Sequence, residues 1–275
     1  MSRSVALDDL AAYLDQYLRV REVPDYPGAW NGVQVENRGQ IDRIVAAVDA
    51  SQATIDGVVA LLDRDEGDVG FSGDRDHGSP LLLVHHGLFW DGTPSVTGPR
   101  YRRLRSLLAN DIALYAAHLP LDLHAEVGNN AVLARRIGLE IQGTFGDHKG
   151  TPIGVWGTPP AALDSREALA RRVQEVLRLP TAPRVIAGGP VQPLRVGIVT
   201  GAAGTMTPQA AASGLDTFIT GEGAHHTFFD AMEGGVNLVY AGHYATETVG
   251  VVALAEHLSQ RFGIPFVFHD HPTGL

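Results

Sequence analysis

The strongest constraint on this chain is an internal repeat. Three strand-to-loop junctions occur in the first half and recur, in the same order, in the second. IVAAVDAS (44–51) matches VGIVTGAA (196–203), and LLLVHHG (81–87) matches TFITGEG (217–223). Tyr-Ala-Ala-His-Leu-Pro-Leu-Asp (115–122) matches Tyr-Ala-Gly-His-Tyr-Ala-Thr-Glu (240–247). Each is an apolar run ending in glycine, histidine or acid, and helix-like stretches separate them. That alternation predicts an α/β fold with at least partly parallel sheets. Repetition of all three junctions predicts two similar α/β lobes related by a pseudo-twofold. The expected lobes are 1–126 plus 243–275, and 127–242.

Periodicity places the elements between these junctions. Leu7, Leu10, Leu14, Tyr17 and Leu18 mark an amphipathic helix over 5–18. Further helices are expected at 53–62, 100–109, 129–137, 164–178, 208–213, 225–232 and 246–262. Strands are expected at 44–48, 81–84, 112–116, 196–200, 217–220, 238–241 and 266–268. Residues 63–80 lack periodicity and are rich in Gly and Asp, which predicts a surface loop.

Composition removes several function classes. With no cysteine, disulfides, thiolate zinc sites and thiol catalysis are all excluded. A net charge of −10 opposes a general polyanion-binding surface, so nucleic acid is not the expected partner. No apolar run approaches the ~18 residues that span a bilayer. Asp8, Asp9 and Asp15 interrupt the N-terminal apolar stretch, which argues against a secretory signal. The expected location is therefore the cytoplasm.

The chemistry gathers where strands end, as it does in open α/β sheets. One run leads into His85-His86-Gly87, a second into His118 and Asp122, a third into Gly221-Glu222, and a fourth into His243 and Glu247. Imidazoles and carboxylates suit Zn, Mn or Fe. Just past a strand end, two adjacent histidines can turn toward a common centre; the bland alternative is an exposed polar turn. Glu247 also has a structural explanation, since a carboxylate is favoured in the first turn of a helix with Thr246 as its cap. Asp122 can likewise serve as a turn or cap residue. If both lobes present these ends to one cleft, His85, His86, Asp122, His243 and Glu247 make a dinuclear centre. Two divalent ions there would share and activate a bridging water.

These motifs resemble a known family. His-His-Gly after a strand, His-Leu-Pro-Leu-Asp followed by Gly-Asn-Asn, Thr-Gly-Glu, and Gly-His-x-x-Thr-Glu are similar to those of the NGG-interacting-factor-like, YbgI-type dinuclear metal-centre proteins. Asn31-Gly-Val-Gln-Val-Glu36 fits the same pattern. Members are often labelled "GTP cyclohydrolase type 2 homologue". The resemblance implies two α/β lobes, two metal ions in the groove between them, and a toroidal homohexamer. Carried over by position, the metal ligands are His85, His86, Asp122, His243 and Glu247. His118 and Glu222 match positions near the site and are the candidates for general acid or base.

Other features carry less. Gly201-Ala-Ala-Gly204 lacks the Lys-Ser/Thr of a P-loop, so a tight turn is expected rather than a phosphate cradle. His225-His226 is read as an exposed helix face, and His269-Asp270-His271 as a tail without a site. His77, His124, His148 and His257 are read as surface residues, and Asp74 and Asp76 lack calcium-loop spacing. The expected function is metal-dependent hydrolysis of a nucleotide-like or phosphorylated small molecule. The alternative is a non-catalytic, metal-bound hexameric scaffold or regulatory protein associated with nucleic acid, an association that the net charge opposes.

Overall fold

The computed structural model describes residues 4–68, 79–90 and 94–274. The chain forms two compact units, Met1–Leu121 with Val251–His271, and Asp122–Gly250 with Pro272–Leu275.

The first unit opens with β1 (Val5–Ala6) and α1 (Leu7–Tyr17). Leu7, Leu10 and Leu14 repeat at helical spacing and are buried, which is why this stretch is helical. Then come β2 (Gly32–Val35), β3 (Gln40–Asp49), α2 (Gln52–Asp68), β4 (Ser79–His86), α3 (Gly98–Ala109), β5 (Ala113–Ala116) and the short α4 (Leu119–Asp122). The sheet order is β1-β3-β4-β5-β2, with a late strand, Phe266–Phe268, also pairing with β3. β3, β4 and β5 are parallel, whereas β2 runs antiparallel to β5. The middle strand is buried along nearly all its length, so Leu81-Leu-Leu-Val84 is continuously apolar rather than alternating.

The second unit contains α5 (Asn129–Ile137), β6 (Glu140–His148), β7 (Thr151–Thr158), α6 (Arg166–Leu177), β8 (Arg184–Ala187) and β9 (Val196–Ile198). It continues with α7 (Thr207–Ala212), β10 (Thr217–Thr220), α8 (Thr227–Gly234), β11 (Asn237–Tyr240) and α9 (His243–Phe262). The last helix belongs to this unit up to Gly250 and to the first unit from Val251. Phe266–Phe268 is β12. The sheet order is β6-β7-β9-β10-β11-β8. β9, β10 and β11 are parallel, and β8 is antiparallel to β11.

The repeat is thus visible in the strand connections. In each unit one strand is laid down, three parallel strands follow in chain order, and the first pairs antiparallel with the last of the three. β2-β3-β4-β5 and β8-β9-β10-β11 are the corresponding quartets. The three sequence matches fall on β3 and β9, β4 and β10, and β5 and β11.

Several boundaries correct the sequence reading. β4 does not stop at Val84 but runs through His85 and His86, held by pairing of His86 with Asp49 of β3. The expected loop 63–80 is helix up to Asp68 and strand from Ser79; its middle, with Asp74, Asp76 and His77, lies outside the described residues. α9 begins at His243, not 246. β2, β6, β7 and β8 were not anticipated. In β6 and β7, Gly143, Gly146, Gly154 and Gly157 interrupt the apolar alternation that announces a strand. Their hairpin turns at Lys149-Gly150, both at positive φ (53° and 83°), the type I′ geometry that suits a two-residue loop.

Gly157 shows how tight this hairpin is. A Cβ there would sit 2.3 Å from the Glu140 carbonyl oxygen of the neighbouring strand. Gly157→Ala is expected to destabilise the protein by roughly 1–3 kcal/mol, the usual cost of overpacking. Urea unfolding monitored by far-ultraviolet circular dichroism checks this; an unchanged midpoint contradicts it.

Candidate metal centre

In the first unit, three imidazoles converge. His85 is fully buried at the end of β4, the central strand of β3-β4-β5. Its Nδ1 lies 2.9 Å from the carbonyl oxygen of Ala117, one residue past β5. His86 sets its Nδ1 2.8 Å from Asp49 Oδ1, and the ladder pairing of these two residues is what brings them side by side. His118 sets its Nδ1 2.8 Å from Asp25 Oδ1. Its backbone N–H donates to Asn31 Oδ1 at 2.7 Å, and Asn31 Nδ2 donates to the other oxygen of Asp25 at 2.8 Å. The ring centroids are 4.6 Å (His85–His86), 5.0 Å (His85–His118) and 5.6 Å (His86–His118) apart.

The acceptors decide the tautomers. A carbonyl or an ionised carboxylate oxygen accepts only, so each Nδ1 carries the hydrogen. Asp25 is ionised: burial pushes its carboxyl up, but the His118 hydrogen bond and charge, Asn31 and the Tyr26 N–H outweigh that and hold it at about 2. In the neutral rings the lone pair therefore resides on Nε2, the arrangement found in metal-ligating histidines. One ligand atom from each of His85, His86 and His118 lies within 4.8 Å of the other two. The donor set fits a divalent cation.

In the second unit, His243 opens α9 and Glu247 follows one turn later, so both project from one face of the helix. His243 Nε2 lies 3.2 Å from Glu247 Oε2, and its Nδ1 lies 2.7 Å from Glu222 Oε1. The hydrogen bond to Glu247 is the main reason its pKa is raised to about 9; burial opposes it, while the Glu247 charge and Glu222 add to the rise. Gly201, at φ +72°, leaves room for this pair: a Cβ there would lie 2.3 Å from Glu247 Oε1. Gly221 packs as closely, its missing Cβ 2.6 Å from the His243 Cα. Gly201-Ala-Ala-Gly204 is thus a tight turn seated against the carboxylates, as expected from sequence.

Asp122 is buried on the same side of this unit. Its Oδ1 accepts from Asn129 Nδ2 at 2.8 Å and from Thr200 Oγ1 at 3.3 Å. Thr200 precedes Gly201, so neighbouring residues of one turn touch Asp122 and Glu247 respectively. Asn129 Oδ1 in turn accepts from Gly250 N at 2.7 Å, which ties α9 to α5.

The seven site candidates therefore fall into two sets, His85, His86 and His118 in the first unit, and Asp122, Glu222, His243 and Glu247 in the second. Sequence reasoning missed the residues that orient them: Asp25, Asp49, Thr200 and the fit of Gly201. Only Asp49 carried a signal, an acid closing an apolar strand. Asp25 lies 93 positions from His118 in a stretch with no pattern. His225-His226 and His269-Asp270-His271 do not join either set.

The Duf34/NIF3 (NGG1p interacting factor 3) family matches over residues 74–273. A "GTP cyclohydrolase 1 type 2 homolog" of Deinococcus radiodurans is 42% identical over 271 residues, covering 98% of this chain and 95% of its own. Protein YbgI, described as of unknown function, has a solved structure with TM-score 0.85 and 34% identity, covering 98% of this chain and all of its own. A crystal structure of a Thermus thermophilus protein gives TM-score 0.82 at 40% identity, with the same coverage. No described helix is long and apolar enough to cross a membrane.

The His243 environment sets a pH dependence for metal-free protein. Its pKa rises on folding from 6.5 to about 9, so the proton stabilises the fold below pH 6.5 and that contribution is lost as pH climbs through 9. After chelation, the wild-type protein should lose thermal stability between pH 7 and 10 relative to Glu247→Gln. Parallel melting curves of the two proteins across that range contradict this assignment.

Proposed function

This chain belongs to the Duf34/NIF3 family, and from that premise we propose that it is a metal-dependent hydrolase acting on a nucleotide-like or phosphorylated small molecule through a pair of divalent ions. The proposed ligands are His85, His86, Asp122, His243 and Glu247, closing on one centre in a cleft between the two lobes. The observation that carries this reading is the triple histidine cluster, with each Nδ1 committed to an oxygen and the ligand atoms within 4.8 Å. Three imidazoles aligned in this way around buried β-strand ends have no purely structural need for it.

When bound, the ions supply Lewis acidity and an activated water, and Zn, Mn and Fe all suit the donors. The chain's own residues do the rest. Asp49 and the Ala117 carbonyl hold His86 and His85 in the ligating tautomer. Thr200 and Asn129 take one oxygen of Asp122 and leave the carboxylate oriented by it. Glu222 receives the Nδ1 hydrogen of His243 and fixes the ring. His118, its Nδ1 hydrogen held by Asp25, is the group placed to take a proton on its Nε2 lone pair as general base and then return it to a leaving group. The name carried by the relatives, "GTP cyclohydrolase 1 type 2 homolog", supports a purine nucleotide as the substrate to try first. The proposed assembly is a cytoplasmic homohexameric toroid, and the chain's acidity argues against nucleic acid as its cargo.

Protein purified without chelator should carry a metal pair per chain by elemental analysis. Asp122→Ala and Glu247→Ala should each lose at least part of that metal and all hydrolysis of GTP, with the oligomer intact by size-exclusion chromatography. Metal-free protein, or full turnover in both variants, contradicts the proposal; loss of the oligomer with no turnover in the wild type favours the scaffold. Asp49→Asn, which touches only the far nitrogen of His86, should weaken metal binding by roughly 10–100-fold.

A further inference from the structure

A pocket of about 460 Å³ opens in the second unit, lined by none of the proposed metal ligands. Its volume is in the range of small-molecule sites. Phe228 and Phe229, at the start of α8, form one side and remain 42% and 49% exposed. Their rings meet edge to face at 5.5 Å, and His225 stands edge-on to Phe229 at 5.6 Å. Buried Ile186 of β8 adds an apolar wall. Arg184 and Tyr240, direct neighbours across the β8–β11 ladder, also line the pocket. The Tyr240 hydroxyl is hydrogen-bonded to Thr227, so that ring is fixed.

The charge in this pocket is out of keeping with the rest of the chain. The protein carries 31 acidic residues, yet among the described residues no carboxylate lines the cavity. The Arg184 guanidinium makes no hydrogen bond or ion pair among the described residues. Exposed aromatic faces beside a guanidinium match a flat ring that carries negative charge: the ring packs on the phenyl groups, and Arg184 takes the anion in a charge-assisted hydrogen bond. The pocket also adjoins Glu222, the partner of His243. Its Gly223 wall follows Glu222 directly and backs onto Tyr240, where a Cβ would lie 2.4 Å from the hydroxyl oxygen.

We propose that this pocket binds a planar aromatic ring bearing an anionic group, with Arg184 as the anion anchor and Phe228 and Phe229 as the ring platform. The inference deepens the proposed hydrolase and rests on it for the reaction; binding itself requires no metal. Nucleotides and aromatic carboxylates share the chemistry.

Calorimetric titration of the full-length, chelator-treated protein tests it, because phosphate then has no cation to bind. AMP should bind about tenfold more tightly than adenosine, the difference expected of one charge-assisted contact. Inorganic phosphate alone should give no signal. Benzoate as a second arm separates the sources: binding of AMP but not benzoate identifies a nucleotide, and the reverse an aromatic acid. Arg184→Gln should erase the advantage of AMP over adenosine while Phe228→Ala weakens both, with unfolding midpoints confirming that each variant is folded. Failure of both AMP and benzoate to bind, or an Arg184→Gln variant that binds them as the wild type does, overturns the assignment. A failed metal centre would show in elemental analysis and leave this titration unaffected.

Discussion

A histidine can offer a metal one nitrogen only if its proton is kept on the other, and this requirement organises both units. His85, His86, His118 and His243 each set Nδ1 against an oxygen at 2.7–2.9 Å. The four acceptors are the Ala117 carbonyl, Asp49, Asp25 and Glu222. Three of them stand at or just past the ends of β5, β3 and β10, so the ladders that align the strands also align the rings. The parallel sheets are therefore more than a scaffold for loops. A shift of register by one residue between β3 and β4 would separate Asp49 from His86 and turn the whole strand over.

The two units solve the same problem with different chemistry. The first presents three imidazoles, with its carboxylates behind them. The second presents carboxylates, with His243 held between Glu222 and Glu247. Without a cation that histidine keeps a proton, pushed up to about 9 mainly by Glu247. A metal ion at His243, as proposed, would compete with that proton and release it. Gly201 permits Glu247 to approach this closely, and Thr200 beside it steadies Asp122. A turn that resembles a phosphate loop in outline instead gives Asp122 a hydrogen bond through Thr200 and Glu247 room beside Gly201.

Much of this is legible in the amino-acid sequence. The order of three strand-to-loop matches anticipated the equivalence of β3-β4-β5 and β9-β10-β11, because backbone pairing in parallel sheets demands apolar runs of fixed order. Asn129–Ile137 and Thr217–Thr220 were placed to the residue. His85 and His86 were assigned to the right end of the right strand but to the wrong side of its boundary; pairing with Asp49 extends β4 across them, and polar residues at a strand end carry no mark of such pairing. β6 and β7 were illegible because glycines that make room for Trp156, Phe145 and the Glu140 carbonyl occupy positions where apolar residues would have betrayed a strand. Asp25 could not have been found, since its bond to His118 spans a long stretch of chain with no local pattern.

The central claim is that ligands from both units close on one pair of cations. Anomalous diffraction from crystals grown with Mn²⁺ tests it most directly. The account predicts two peaks per chain about 3.5–4 Å apart, the spacing of shared-water metal pairs, with His85 and His86 bordering them on one side and Asp122, His243 and Glu247 on the other. Peaks far apart, each held by one unit alone, or no peak at these residues, would contradict it.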